Sequence, residues 1–281
     1  MKNHSSSKII SKGSLLKFFS LQLYYRKLET ILYSRKIERL WSNQPSHEPW
    51  LLKIIKEILE KRPGAFIDVG VNVGQTLLKV KSINVSNDYV GFEPNPICCF
   101  YTNELIKSKK FKNCKLIPVG LSDKAALLRL FKNDEIDSAS SLVEGFREQS
   151  FYSSEEYVPV FEGDYLLKFL KLDAISIIKI DVEGGELEVI RGLRSSISKY
   201  QPYILCEVLP VRDTSTETGS FRKGRQDCLE NILSEEDYKI YRILHTGEVV
   251  PLEHFEIHSD LALCEYMFVP QKETKGKESG G

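Results

Sequence analysis

From Ala65 onward, short apolar runs alternate with helical stretches, and this alternation constrains the chain more than any other feature. The runs are Ala65–Val69, Tyr89–Phe92, 116–121, 175–181 and 203–208. Uninterrupted apolar strands separated by helices are the pattern of a parallel sheet covered on both faces. The expected class is therefore α/β, with a Rossmann-like, mostly parallel sheet. Residues 126–131 and 157–161 read as a β excursion around a polar loop. Residues 238–244 and 261–270 read as a closing pair of strands joined by a turn containing Gly247, the last strand being antiparallel.

Three segments follow from the pattern. Residues 1–48 form a basic helical extension, 49–270 the domain itself, and 271–281 a polar tail expected to be disordered. Within 1–42, nine basic residues face two acidic ones, although the whole chain balances 39 Lys and Arg against 39 Asp and Glu. Leu15, Phe18, Phe19 and Leu23 recur at helical spacing there. Such a helix either packs on its own acidic domain or touches an anionic surface, so peripheral membrane contact through residues 1–42 stays open. A second helix opens at Pro49 and ends before Pro63-Gly64.

The neutral total argues against a nucleic-acid partner, which would call for a basic surface. No run approaches the ~18 apolar residues of a membrane span, and no small-residue cleavage site follows the early apolar stretch. The six cysteines show no CxxC pair. Free buried thiols and a cytoplasmic location are expected.

Chemistry concentrates at strand ends. The run Ile67-Asp68-Val69-Gly70-Val71-Asn72-Val73-Gly74-Gln75 carries an apolar strand into a glycine turn that opens a helix. Glycines let a ligand approach the backbone, and open α/β sheets bind ligands at such turns. The next strand ends in Glu93, at the spacing of an acid that binds a ribose diol. Asp68 would oppose a pyrophosphate but favour ammonium and sulfonium groups, and the G-x-G-x-x-G phosphate fingerprint is missing. S-adenosylmethionine fits these facts better than NAD. Ser122 and Asp123, after the third strand, are candidates to accept the adenine amino group.

The fourth strand reads Lys179-Ile180-Asp181-Val182-Glu183-Gly184-Gly185-Glu186. Lys179 and Asp181 share one face of the strand. Burial without a partner would be costly, so they pair with each other or with a ligand. Glu186 and Glu188 suit the first turn of the helix that follows. Glu207 ends the fifth strand at the same edge.

With these elements in view the chain resembles the FkbM family of S-adenosylmethionine-dependent methyltransferases. The resemblance lies in IDVGVNVGQ (67–75), FEPNP (92–96) and KIDVEGGELEVIRG (179–192), with weaker echoes to residue 270. It implies a class I methyltransferase fold and methyl donation, commonly to a hydroxyl of a carbohydrate, glycan or natural product. It makes Asp68, Gly70, Asn72 and Gly74 the donor turn, Glu93 the ribose acid, and Lys179, Asp181 and Glu183 the catalytic motif.

The expected reaction is in-line displacement with a carboxylate base. Asp181 is the first candidate, Glu183 the second and His245 a distant third. A divalent cation held by Asp181 and Glu183 is an alternative that the spacing does not require, and no metal is assigned. Two other readings remain open: a nucleotide-dependent oxidoreductase on the same crevice, and a non-catalytic protein that docks through its basic N-terminal helix.

Overall fold

The computed structural model describes residues 48–83 and 86–271, together with Arg35, Glu38, Arg39, Trp41 and Ser42. The chain divides into residues 1–43 and residues 44–281. The five described residues of the first part are helical. Most of the expected basic extension and the tail 272–281 lie outside the described residues.

Helix α1 (Pro49–Lys61) starts on a proline whose missing N–H costs nothing in a first turn. It buries Trp50, Leu51, Ile54, Ile55, Ile58 and Leu59 along one face. Strand β1 (Ala65–Val69) is buried at all five positions, so the sheet is covered on both sides there. It is followed by α2 (Gln75–Ser82), β2 (Tyr89–Phe92), α3 (Pro96–Ser108) and β3 (Cys114–Ile117). Asn95 caps α3, its side-chain oxygen accepting from the N–H groups of Ile97 and Cys98 at 2.9 and 3.4 Å.

The expected strand 116–121 is divided. Pro118 cannot donate to a ladder, and the Val119 N–H turns back to the Ile117 carbonyl at 2.9 Å. Beyond this bend the chain enters a second sheet through β4 (Gly120–Ser122). Strands β5 (Ala126–Lys132) and β6 (Ser154–Glu162) complete that sheet in the order β4-β6-β5, as the predicted excursion.

After a short helix α4 (Gly163–Leu167) come β7 (Ile175–Ile180), α5 (Glu186–Gly192), α6 (Arg194–Tyr200) and β8 (Tyr203–Glu207). Helix α7 (Glu217–Glu235) follows β8. Thr216 starts it by accepting from the Gly219 N–H at 3.0 Å, which offsets the two glycines of its first half. Strands β9 (Tyr238–Ile243), β10 (Val249–Leu252) and β11 (Glu265–Pro270) end the domain. The Gly247 turn leads to β10, an edge strand absent from the sequence-based expectation, and the segment 261–263 is a 3-10 turn.

The main sheet runs β10-β9-β11-β8-β7-β1-β2-β3. From β3 to β8 all neighbours are parallel, and β11 is antiparallel to both β8 and β9. Chain order reverses between β1 and β7, which puts the topological switch point at their carboxyl ends.

Candidate functional site

A cavity of about 630 Å³ opens at that switch point. Its walls include Gly70 and Asn72 after β1, Glu93 after β2, Ser122 and Asp123 at the end of β4, and the acids at the ends of β7 and β8.

Gly70 has φ +87°, and a Cβ there would lie 1.8 Å from the Asp181 carbonyl oxygen. Only glycine lets the ends of β1 and β7 come this close. Asn72 is left-handed at φ 50°. Its N–H donates to Glu93 Oε2 at 2.7 Å, while the Asn95 N–H donates to Glu93 Oε1 at 2.8 Å. Each Glu93 oxygen thus has a backbone donor and keeps acceptor capacity for a ligand. Burial pushes the Glu93 carboxyl up to about 7, against the lowering effect of those two N–H bonds. Two further bonds tie this corner to the loop before β6: Asn95 Nδ2 to the Glu135 carbonyl at 2.8 Å, and Asn72 Nδ2 to the Asp137 carbonyl at 3.4 Å.

Two turn residues stand back from the cavity. Asp68 is fully buried, accepts a hydrogen bond from the Tyr89 hydroxyl, and does not line the wall. Burial raises its carboxyl to about 6 although Lys179 beside it acts in the opposite direction. Any influence of Asp68 on a ligand therefore passes through Lys179 rather than through contact. Gly74 gives close packing instead: a Cβ there would meet Leu105 at 2.9 Å.

Lys179 Nζ donates to Asp181 Oδ2 at 2.9 Å, which is the pairing expected from their shared strand face. Burial alone would raise the Asp181 carboxyl, yet Lys179 outweighs it and holds Asp181 below the ordinary carboxylate range. Glu183, left-handed at φ 51°, pairs with Arg147, and its carbonyl accepts from Ser141 Oγ at 2.7 Å. Burial and then the nearby Asp181 raise Glu183 to about 7. Glu207 is raised further, by burial and then by Asp181, Glu183 and Glu265. One carboxylate oxygen from each of Asp181, Glu183 and Glu207 lies within 4.8 Å of the others, close enough to share a bound charge.

Glu186 and Glu188 behave as helix-start residues: Glu186 accepts from the Gly184 N–H at 2.8 Å and Glu188 from Arg225. His245 stacks on Trp50, with centroids 5.5 Å apart, and does not line the cavity. Arg147 and Glu265 are not anticipated by the sequence, and Ser141 enters there only within the weaker echo Ser140-Ser141-Leu142. Arg147 and Ser141 sit in an irregular loop whose approach to Glu183 leaves no periodic signal. Glu265 becomes legible only through its pairing opposite Glu207. All six cysteines are free.

A family model described as the methyltransferase FkbM domain matches residues 68–240. The chain belongs to the FkbM methyltransferase family. The FkbM match covers the glycine turn, Glu93, the Lys179–Glu183 motif and Glu207. A curated relative, methyltransferase sdnD of Sordaria araneosa, is 27% identical over 153 residues, 45% of this chain and 59% of that protein. The chain therefore spans about three-fifths of that relative's length. Among solved structures, the FkbM methyltransferase of Methylobacillus flagellatus KT is 17% identical with a TM-score of 0.46, covering 73% of this chain and 43% of that one. The O-methyltransferase of Bacillus cereus in complex with SAH is 11% identical with a TM-score of 0.47, covering 84% and 90%. No described helix of the FkbM chain is long and apolar enough to cross a membrane.

Proposed function

We propose that the chain is an S-adenosylmethionine-dependent methyltransferase acting on a hydroxyl of a carbohydrate, glycan or natural product. The observation that carries this reading is the Glu93 carboxylate, gripped by two backbone N–H groups at the wall of a switch-point cavity. The residues suit the cofactor. Glu93 offers two fixed acceptors to a ribose diol, Gly70 and Asn72 line the cavity beside it, and Ser122 and Asp123, also on the wall, are our candidates to read the adenine edge. The acidic wall favours a cationic donor over a pyrophosphate. When bound, S-adenosylmethionine supplies an electrophilic methyl group on a sulfonium.

The chain's own part is to orient the acceptor, exclude water and remove one proton. Lys179 makes Asp181 a weak base, so Asp181 serves better as a fixed anion facing positive charge. Glu183, raised to about 7, is matched to take a hydroxyl proton near neutral pH. This exchanges the order of the two candidates expected from the sequence. A wall holding Asp181, Glu183, Glu207 and Glu265 with Lys179 suits an uncharged polyhydroxylated acceptor and disfavours a phosphorylated one.

Calorimetry tests the reading: S-adenosylmethionine should bind and NAD should not. Glu93→Gln should weaken the donor ~10-fold or more, as expected when hydrogen bonds to a charged group are lost. Tighter binding of NAD would point to the oxidoreductase instead. Screening hydroxylated acceptors with a labelled donor, read by mass spectrometry, identifies the product. A methyl group found on nitrogen or carbon would refute O-methylation.

A further inference from the structure

The ends of β7 and β8 place four carboxyl groups together, and among the described residues ion pairs reach only two of them. The two strands are parallel with Ile180 beside Cys206, so the next residues, Asp181 just past β7 and Glu207 at the end of β8, come side by side. On the other flank of β8, Glu265 of β11 lies directly opposite Glu207. Glu183, from the turn after β7, brings a third carboxylate within 4.8 Å of the first two. All four line the cavity.

Two described cations pair with this group. Lys179 bonds Asp181, and Arg147 bonds Glu183. Among the described residues no ion pair reaches Glu207, which has Asp181, Glu183 and Glu265 around it. Like charges this close do not all ionise, and Glu207 and Glu265 are the two members without an ion pair. Lys179 and Lys79 still act on Glu265, whereas Glu207 faces only burial and the other acids, so the proton goes to Glu207. Directly opposed like charges across two strands are also destabilising, which one proton on Glu207 relieves.

We propose that Glu207 is a positioning residue of the site: it carries a proton at neutral pH and donates it in a hydrogen bond to Asp181. Asp181 is then held from two sides, by the Lys179 ammonium and the Glu207 hydroxyl, as one fixed anion. Glu183, paired with Arg147, is left as the carboxylate that accepts a proton. The burial-driven rise of the Glu207 carboxyl and the lowered Asp181 agree with this division. The role in catalysis rests on the methyltransferase reading; the proton on Glu207 does not.

The experiment uses the full chain without ligand. A difference infrared spectrum, wild type minus Glu207→Gln at pH 8, should show the C=O stretch of a protonated carboxyl. In the wild type that band should fade on alkaline titration. Absence of the band at pH 8 overturns the proposal. Its appearance only after adding a chelator also overturns it, because a cation rather than a proton would then bind the cluster. S-adenosylhomocysteine binding by calorimetry supplies the second readout. Glu207→Gln, which keeps a donor, should stay within ~2-fold of wild type, while Glu207→Ala should lose ~10-fold, the size of one charge-assisted hydrogen bond. Equal loss in both variants would overturn the donated bond. Failure of the chain to bind S-adenosylhomocysteine at all, with the infrared band present, would instead refute the cofactor assignment.

Discussion

Gly70 and Asp181 meet backbone to backbone: a Cβ on Gly70 would lie 1.8 Å from the Asp181 carbonyl oxygen. The Asp181 N–H donates to the Val69 carbonyl at 3.0 Å, so the end of β1 and the start of the acidic turn form one rigid unit. The glycine turn and the acidic motif are more than a hundred residues apart in sequence but share this contact.

Gly70→Ala should therefore be severe. Alanine at a positive φ already costs about 1 kcal/mol or more, and the clash with Asp181 adds to it. Gly145→Ala is the control: its φ is +76°, but nothing lies within 4 Å of its Cβ position. Denaturant unfolding should show a clearly larger loss for Gly70→Ala, with donor binding lost as well. Equal losses at the two positions would mean that the β1–β7 contact yields easily.

Removing the Arg147 guanidinium should make Glu183 harder to ionise. An opposite charge in contact stabilises a carboxylate, so in Arg147→Ala the acidic half-maximum of kcat should move upward by about 1 pH unit or more. Arg147→Lys should move it less. The measurement is a pH–rate profile with an acceptor found in the labelled-donor screen. An unmoved acidic limb would remove Glu183 as the base.

Stability of the ligand-free protein should fall as pH rises from about 5 to about 8. Glu93, Glu183 and Glu265 are raised to about 7 and Asp68 to about 6, chiefly by burial. Between the ordinary carboxylate range and 7, the folded state binds more protons than the unfolded one, so each rise in pH favours unfolding. Asp181, held low by Lys179, acts in the opposite sense only at more acidic pH. Thermal midpoints across this window check the sign. A midpoint that climbs with pH would mean the acids are paired more fully than the structure shows.

Much of the architecture was legible in local pattern. Five apolar runs supplied the parallel core, the third only in part, because a strand buried on both faces must be largely apolar, as β1 apart from Asp68 and most of β7 are. Glu93, Lys179 and Asp181 stood out as charges ending or interrupting such runs, and burial obliges them to find partners. Tertiary structure decided what pattern cannot encode. It sank Asp68 behind Lys179 and Tyr89, and it brought Arg147 from a loop onto Glu183. It also set Glu207 between acids from two neighbouring strands. Periodicity reports which face of an element is buried; the charge state of a carboxyl depends on which groups other segments place within a few ångströms, and only the packed chain fixes those distances.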